Sequence, residues 1–226
     1  PSSWTIHTRL TVGGSIGLVF VGLAAFFAFE WANPATLAGH SWSSKLVTAF
    51  EASIMPRSGG LSSFDWSQVT GETQNFTSIL MFIGGGSAST AGGIKITTFL
   101  LLAYVILAEL RGDAEVRIGV RSVGSATVRT ALSIALIAVA MVTGTTLILM
   151  TVTDANYGDA LFEVCSAFGT VGLSTGLTAE AGTAGHLILI MLMFVGRVGT
   201  VTAASTFLLR RKQQRFHLPE ERPIIG

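Results

Sequence analysis

Uncharged apolar runs divide the chain more sharply than any other feature. Two are clean: residues 10–29, bounded by Arg9 and Glu30, and residues 130–153, bounded by Arg129 and Asp154. Each reaches the about 20 mainly apolar residues that a membrane-crossing helix needs. Two longer runs, residues 73–108 and 181–209, are each interrupted by one basic residue, Lys95 and Arg197 respectively. Helices of that length must tilt, kink or break. Between each clean run and the interrupted run that follows lies a short, partly apolar stretch, residues 44–55 and 157–168. These are too short to cross and read as re-entrant helices that dip into the membrane and return. The pattern predicts an all-α membrane protein of tandem membrane-pore-membrane repeats with re-entrant pore helices, potassium-channel-like in plan.

Since the order of elements occurs twice, internal repetition is expected, and it is present at a constant offset. Phe50-Glu51 matches Phe162-Glu163, Gly60-Leu61-Ser62 matches Gly172-Leu173-Ser174, and Leu80-Met81-Phe82 with Gly84 matches Leu192-Met193-Phe194 with Gly196, all 112 positions apart. Thr90-Ala91 and Thr202-Ala203 keep the offset. The copies then slip by four residues before Thr98-Phe99-Leu100-Leu101 and Thr206-Phe207-Leu208-Leu209 realign, which places an insertion in the first copy near residues 92–97.

Composition removes the soluble alternative. Half the residues are hydrophobic, 12% are charged and the mean hydropathy is +0.62, against about a quarter charged in an ordinary soluble domain. The net charge of +1 hides an uneven distribution. Arg111, Arg117, Arg121 and Arg129 lie between the two copies, and Arg210, Arg211, Lys212, Arg215 and Arg222 lie in the C-terminal tail. Such an excess marks the cytoplasmic side. Residues 154–180 then face outward with four acids and no Lys or Arg, a mouth expected to concentrate cations; the alternative is a solvated acidic loop. Cys165, the single cysteine, forms no internal disulfide and reads as a packing residue. The first apolar run is too long and wrongly flanked for a cleaved signal peptide, and further chain is expected before Pro1.

Candidate chemistry follows each short helix. Arg57-Ser58-Gly59-Gly60-Leu61-Ser62 follows the first and Gly169-Thr170-Val171-Gly172-Leu173-Ser174 the second, with Ser58, Gly59, Gly60 and Leu61 and Thr170, Val171, Gly172 and Leu173 the candidate ion-binding residues. An ion filter replaces the hydration shell with backbone carbonyls, so its backbone must be extended and closely approached, which glycine permits. Non-helical backbone at membrane depth survives only in a cavity or inside protein. Thr170-Val171-Gly172 resembles the start of the potassium-channel filter Thr-Val-Gly-Tyr-Gly. Ser174 replaces its second glycine, which implies fewer carbonyl rings and looser selectivity.

In mid-span, residues 84–93 carry five glycines, each weakening a helix by roughly 1 kcal/mol relative to alanine, so the helix is expected to break there. A glycine-lined packing seam is the alternative. Arg197, central in its span, should face a cavity or a protein partner, because a mid-membrane charge costs about 2.5–3.5 kcal/mol. Lys95 either joins the broken segment or snorkels to the interface. Glu51 and Glu163 are expected to bond local backbone or shape the field, with direct ion coordination the alternative.

A hydrolase is the rival class. Gly13-Gly14-Ser15-Ile16-Gly17 and Gly172-Leu173-Ser174-Thr175-Gly176 both match Gly-x-Ser-x-Gly. The first lies inside an apolar span, and the second has only His186 as a conceivable base. A phosphate loop is excluded, because Ile94 separates Gly92-Gly93 from Lys95.

Residues 162–176, 82–95 and 194–207 resemble the Trk/Ktr/HKT superfamily of potassium and sodium transporters. The closing Pro219-Glu220-Glu221-Arg222-Pro223-Ile224-Ile225-Gly226 resembles the end of its bacterial pore subunit. That resemblance implies four repeats around one pore, of which residues 1–123 and 124–212 would be the third and fourth, with a cytoplasmic tail at 213–226. It implies filter glycines at Gly60 and Gly172, although Ser58, Gly59 and Leu61 depart from the family's usual wording at the third filter. It also implies a gate built from Gly84, Gly85, Gly86, Ser87, Ser89, Thr90, Gly92, Gly93 and Lys95, with Arg197 close by. The implied function is potassium uptake through the bacterial inner membrane by a multi-pass pore subunit that is not an enzyme. A sodium-permeable or non-selective transporter of the same superfamily is the alternative. The implied cargo is K+ at the filter carbonyls, with no covalent cofactor. The implied partners are a second copy in a homodimer, the lipid membrane and a cytoplasmic nucleotide-binding ring of the RCK type, which alone would carry nucleotide; no nucleic acid is expected. Docking of that ring would use residues 111–129 and the tail after Arg210.

Overall fold

The computed structural model describes residues 4–86, 89–113, 115–119 and 121–209, the last eleven of these as helical backbone only. Ser87 and the tail at 213–226 lie outside the described residues.

Both clean apolar runs are single long helices, α1 (Ile6–Glu30) and α5 (Ser125–Thr153). The Thr5 hydroxyl caps α1 by accepting from the Thr8 amide. Only 11% and 22% of their most apolar windows are buried, whereas the core helix of a soluble protein would be mostly covered. Ile16, Phe20 and Val21 of α1 and Leu136, Ile137 and Val139 of α5 all face outward. Apolar surface of that extent needs an apolar surrounding.

The two short stretches are 13-residue helices, α2 (Trp42–Ile54) and α6 (Tyr157–Gly169), started by the side chains of Ser41 and Asn156. The first interrupted run divides into α3 (Gly71–Phe82) and α4 (Ile96–Arg111). The second is continuous, with a four-residue turn of helix, α7 (Leu177–Glu180), ahead of α8 (Gly182–Leu209).

The architecture is helical as expected, apart from one short β-ribbon. Between α4 and α5, β1 (Arg117–Ile118) and β2 (Arg121–Ser122) pair antiparallel. Gly119 turns between them at φ 65°, a left-handed angle that suits a tight hairpin. Hydrophobic periodicity gives no warning of strands two residues long. Ile118 anchors the ribbon by burying itself with Leu10, Leu101 and Ala131, while Arg117 and Arg121 stay exposed.

The helices form two groups. α1 packs on α2, α3 and α4, while α6 packs on α5 and α8. The groups meet where α3 lies along α6 and α4 along α5. Glycines set the closest approaches within α1. Gly22 leaves room for Ser53 and Leu80, and Gly14 for Ile96 and Leu100, whereas Gly13 and Gly17 face open space. At the far end of α1, the fully buried Glu30 accepts from the side chains of Asn33, Thr36, Thr70 and Thr73 and from the Thr70 amide. That carboxylate fastens the α1–α2 connection to the start of α3. Burying it is tolerable because every bond to it comes from a donor.

Candidate functional site

The segments after α2 and α6 share backbone geometry as well as register. Ser58 and Thr170 have φ of 67° and 50°, and Gly60 and Gly172 have φ of 67° and 100°, each pair 112 positions apart. Left-handed angles are rare for a β-branched residue such as Thr170. Such strain persists only where surroundings fix it, and here they do. The Thr170 hydroxyl accepts the Gly92 amide (3.0 Å), and its carbonyl accepts the Ser58 hydroxyl (3.3 Å), which also reaches the Gly169 carbonyl (3.0 Å). Behind the chain, the Val171 amide donates to the Ser166 carbonyl and the Gly172 amide to the Ser166 hydroxyl. In the first segment, Gly59 and Gly60 both donate to the Met55 carbonyl.

The two segments touch. A side chain at Gly60 would overlap the Val171 carbonyl oxygen, and Gly172 faces the Gly60 Cα. The structure thus brings Ser58, Gly60, Thr170, Val171 and Gly172 into one cluster at the ends of two short helices. Leu61 and Leu173 part company: the first is exposed and the second buried.

The described residues of 83–95 lie against this cluster. The base of this loop is tied by Gly84 N to Ile94 O, Ile94 N to Phe82 O and Ile96 N to Gly85 O. The Gly93 amide donates to the Phe168 carbonyl at the end of α6, one of the carbonyls a helix leaves without an internal partner. Gly92 fits only as glycine, because a Cβ there would lie 2.6 Å from the same oxygen. Lys95 does not snorkel. Its ammonium group donates to the carbonyls of Ala91 (2.6 Å) and Ser89 (3.3 Å), stapling the loop from within. Gly86 lies against Thr11, and Thr90 is exposed.

Arg197 lies on the exposed side of α8. It lines an open cavity of about 400 Å³ together with Ser166, Thr170, Val171, Gly172 and Phe194. The expectation that it faces a cavity is met.

The acidic stretch at residues 154–180 divides into two bonded and two exposed acids. Of its four acids, Glu163 is buried and accepts from donors at Ser174, Thr175 and Thr178, while Asp159 is bonded to Gln74 (2.6 Å) and Asn156 (2.6 Å). Asp154 and Glu180 remain exposed.

Sequence reasoning missed Ser166 and the Phe168 carbonyl, and it gave Arg57 no role. Arg57 reaches from the first segment to the Ser15 carbonyl in the middle of α1 (3.1 Å). A carbonyl carries no residue-type signal. Its only trace is the glycines it demands of its neighbours, Gly92 and Gly196, where a Cβ would collide with it.

Residues 6–217 match the family described as "TrkH: Cation transport protein". The chain is 39% identical over 225 residues, 99% of its length, to the "Ktr system potassium uptake protein D" of Bacillus subtilis (strain 168). It is 36% identical over 224 residues to the "Ktr system potassium uptake protein B" of the same organism. It spans about half the length of these relatives, 49% and 50% respectively. Among solved structures, the potassium transporter TrkH from Vibrio parahaemolyticus superposes with a TM-score of 0.64 at 18% identity, covering 91% of this chain and 44% of that one. With a helical fold of that kind, two outward-facing apolar spans and a match across nearly its whole length, the chain is an integral membrane protein of the TrkH family of cation transport proteins.

Proposed function

We propose that the chain is half of a potassium-conducting pore, in which Ser58, Gly59, Gly60 and Leu61 and Thr170, Val171, Gly172 and Leu173 supply two of four carbonyl-lined filter segments. The observation that carries this reading is the pair of left-handed turns at Ser58–Gly60 and Thr170–Gly172, placed at equivalent ends of α2 and α6 with their glycines in contact. Strained backbone held by surrounding bonds is what a filter of fixed geometry needs, since selectivity depends on where its carbonyls stand. The names of the relatives support K+ as cargo.

A difference in cover supports two further repeats. Phe162 on α6 is 0% exposed, sheltered by Trp66 and neighbouring α3, whereas its counterpart Phe50 on α2 is 52% exposed. The α3 residues Ser78 and Met81 are buried, whereas their counterparts Ile190 and Met193 on α8 are exposed. The bare face of α2 borders an open cleft of about 460 Å³ that also holds Glu51, Ser62 and Ser63. Lipid is a poor cover for a carboxylate. A preceding repeat laid on α2, and another against α8, would cover both faces as α3 and α6 cover each other.

The loop at 83–95, with Lys95 and Arg197, is the gate in this reading. It touches the filter through Gly92 and Thr170, and a loop held by a few hydrogen bonds rather than helix is readily displaced. The exposed Arg117 and Arg121 of the β-ribbon are assigned to docking of a cytoplasmic nucleotide-binding ring on a homodimer. Ligand-driven movement of the ring opens the gate only if the ring binds its two states with different affinity.

The test of the filter is ion flux through the full-length protein in liposomes. Gly172→Ser is expected to lower the K+ over Na+ preference while leaving membrane insertion intact. An unchanged preference removes Gly172 from the filter. Equal K+ and Na+ flux in the unsubstituted protein favours the non-selective reading. Charge reversal at Arg117 and Arg121 is expected to weaken co-purification of the ring, and normal ring binding sinks that docking assignment.

A further inference from the structure

We propose that Glu163 is the positioning residue of the second filter segment, and that Glu51 is a weaker copy of it in the first; this rests on the filter reading above. Glu163 sits on the buried side of α6, 3% exposed. Its partners are three hydroxyls and one backbone amide. Oε1 accepts from the Ser174 hydroxyl, the Thr175 amide (2.9 Å) and the Thr175 hydroxyl (3.4 Å), and Oε2 accepts from the Thr178 hydroxyl. All four donors belong to residues 174–178, which follow the filter segment directly.

An ionised carboxylate is the side chain suited to that task, because it only accepts and has about four lone-pair sites. Bonds to an ionised acceptor are also about twice as strong as neutral ones. The filter chain is therefore held at both ends. Upstream, Thr170 is tied to Gly92 and Ser58; downstream, the chain is drawn onto Glu163. Carbonyls that converge on an ion repel one another when it leaves, so their spacing depends on what fixes the backbone behind them.

The first copy repeats the device in reduced form. Glu51 accepts from the amide of Ser63, the counterpart of Thr175, and from the Ser63 hydroxyl (2.6 Å). Both carboxylates thus reach a backbone amide 12 positions ahead. Ser62, the counterpart of Ser174, instead donates to the Phe64 carbonyl (2.6 Å). Glu51 holds two donors where Glu163 holds four, and it borders an open cleft rather than a core. The two segments are accordingly clamped unequally, with the tighter clamp on the second.

The experiment measures K+ over Na+ preference of the full-length protein in liposomes for Glu163→Gln, Glu51→Gln, Thr178→Val and Glu30→Gln, beside Gly172→Ser. Glutamine has one acceptor oxygen and brings two donors to a site full of donors. Glu163→Gln, Glu51→Gln and Thr178→Val disturb four bonds, two and one, and are expected to lower the preference roughly tenfold, threefold and twofold in that order. Thr178→Ser, which keeps the hydroxyl, should restore the preference. Glu30→Gln removes a buried carboxylate that accepts five bonds of its own at the far end of α1, so it should lower thermal stability and leave the preference unchanged. If Glu163→Gln fails to insert, Thr178→Val and its serine rescue decide. A wild-type preference in Glu163→Gln or Thr178→Val, or an equal loss in Glu30→Gln, overturns the clamp while a selectivity loss in Gly172→Ser leaves the filter standing. No change in Gly172→Ser overturns the filter reading and the clamp with it.

Discussion

Residues 80–101 and 192–209 begin with the same Leu-Met-Phe and end with the same Thr-Phe-Leu-Leu. Yet the first is cut into α3, a loop and α4, while the second runs through as α8. Glycine and length account for the difference. The first copy carries Gly84, Gly85, Gly86, Gly92 and Gly93 and four extra residues, whereas the second carries Gly196 and Gly199. At roughly 1 kcal/mol of helix propensity per glycine, the first stretch gives up about 5 kcal/mol relative to alanine. The amides freed by the break are not left bare, which membrane depth would forbid. Those of Gly92 and Gly93 bond to Thr170 and Phe168. The second copy meets the same Phe168 carbonyl differently, by bringing the smooth flank of an intact helix against it at Gly196. One oxygen at the end of α6 is thus approached from a broken helix on one side and an unbroken one on the other. At the offset of 112, Arg197 stands where the broken copy has Gly85. The intact helix carries a charge to the cavity, and the broken one contributes backbone.

Erasing the difference gives the largest expected effect. Removing residues 85–90, which shortens the loop but leaves Gly92 tied to Thr170, should raise K+ conductance without altering ion preference, because residues 58–61 and 170–173 keep their bonds. Flux at the unsubstituted level in single-channel or liposome recordings would return the loop to simple packing.

The intact copy can be challenged at its contact point. Gly196→Leu forces a side chain into the Phe168 carbonyl, and overpacking of this kind typically costs about 1–3 kcal/mol. Thermal unfolding in detergent should show the loss. A transition equal to that of the unsubstituted protein would mean that α8 does not press on α6 as described.

A finer test addresses the staple within the broken copy. Lys95→Met deletes the donor to the Ser89 and Ala91 carbonyls, and at about 1 kcal/mol net the loop's displaced population should rise roughly fivefold. Faster thiol labelling of Ser89→Cys in the Lys95→Met background would register it. Equal labelling rates would show that the backbone bonds alone hold the loop closed.

The smallest effect belongs to a glycine that neither copy needs. A Cβ at Gly144 on α5 meets nothing within 4 Å, so Gly144→Ala should leave flux unchanged and stabilise the helix by about 0.5–1 kcal/mol. A loss of stability there would reveal a contact made by a further part of the full-length protein.

How far the site can be read in advance is clearest at Phe50 and Phe162. The same residue recurs at the same place in the pattern, and the offset of 112 equates the two. Their helices were legible for that reason, to within two residues at each end. Nothing in the pattern says that one is wholly covered and the other half exposed. Glu51 and Glu163 divide in the same way, two donors for one and four for the other. The sequence marked both as acids in short helices, but the inward turn of Glu163 depends on where residues 174–178 fold back. The β-ribbon at 117–122 was missed because two residues per strand show no alternation to detect.

The sequence by itself determined the two apolar spans, the two short helices, the duplicated register of the segments that follow them and the break between α3 and α4. Each follows from local properties: run length against membrane thickness, recurrence at a fixed offset, and glycine's weak hold on a helix. Only the tertiary structure decided which backbone groups the broken helix would satisfy. The Gly92 amide meets a threonine hydroxyl 78 positions away, and Ser58 meets a carbonyl 112 positions away. Contacts of that separation leave no periodic trace, because they depend on how α3 is laid along α6, and that choice is made by the packing of whole helices rather than by any short run of residues.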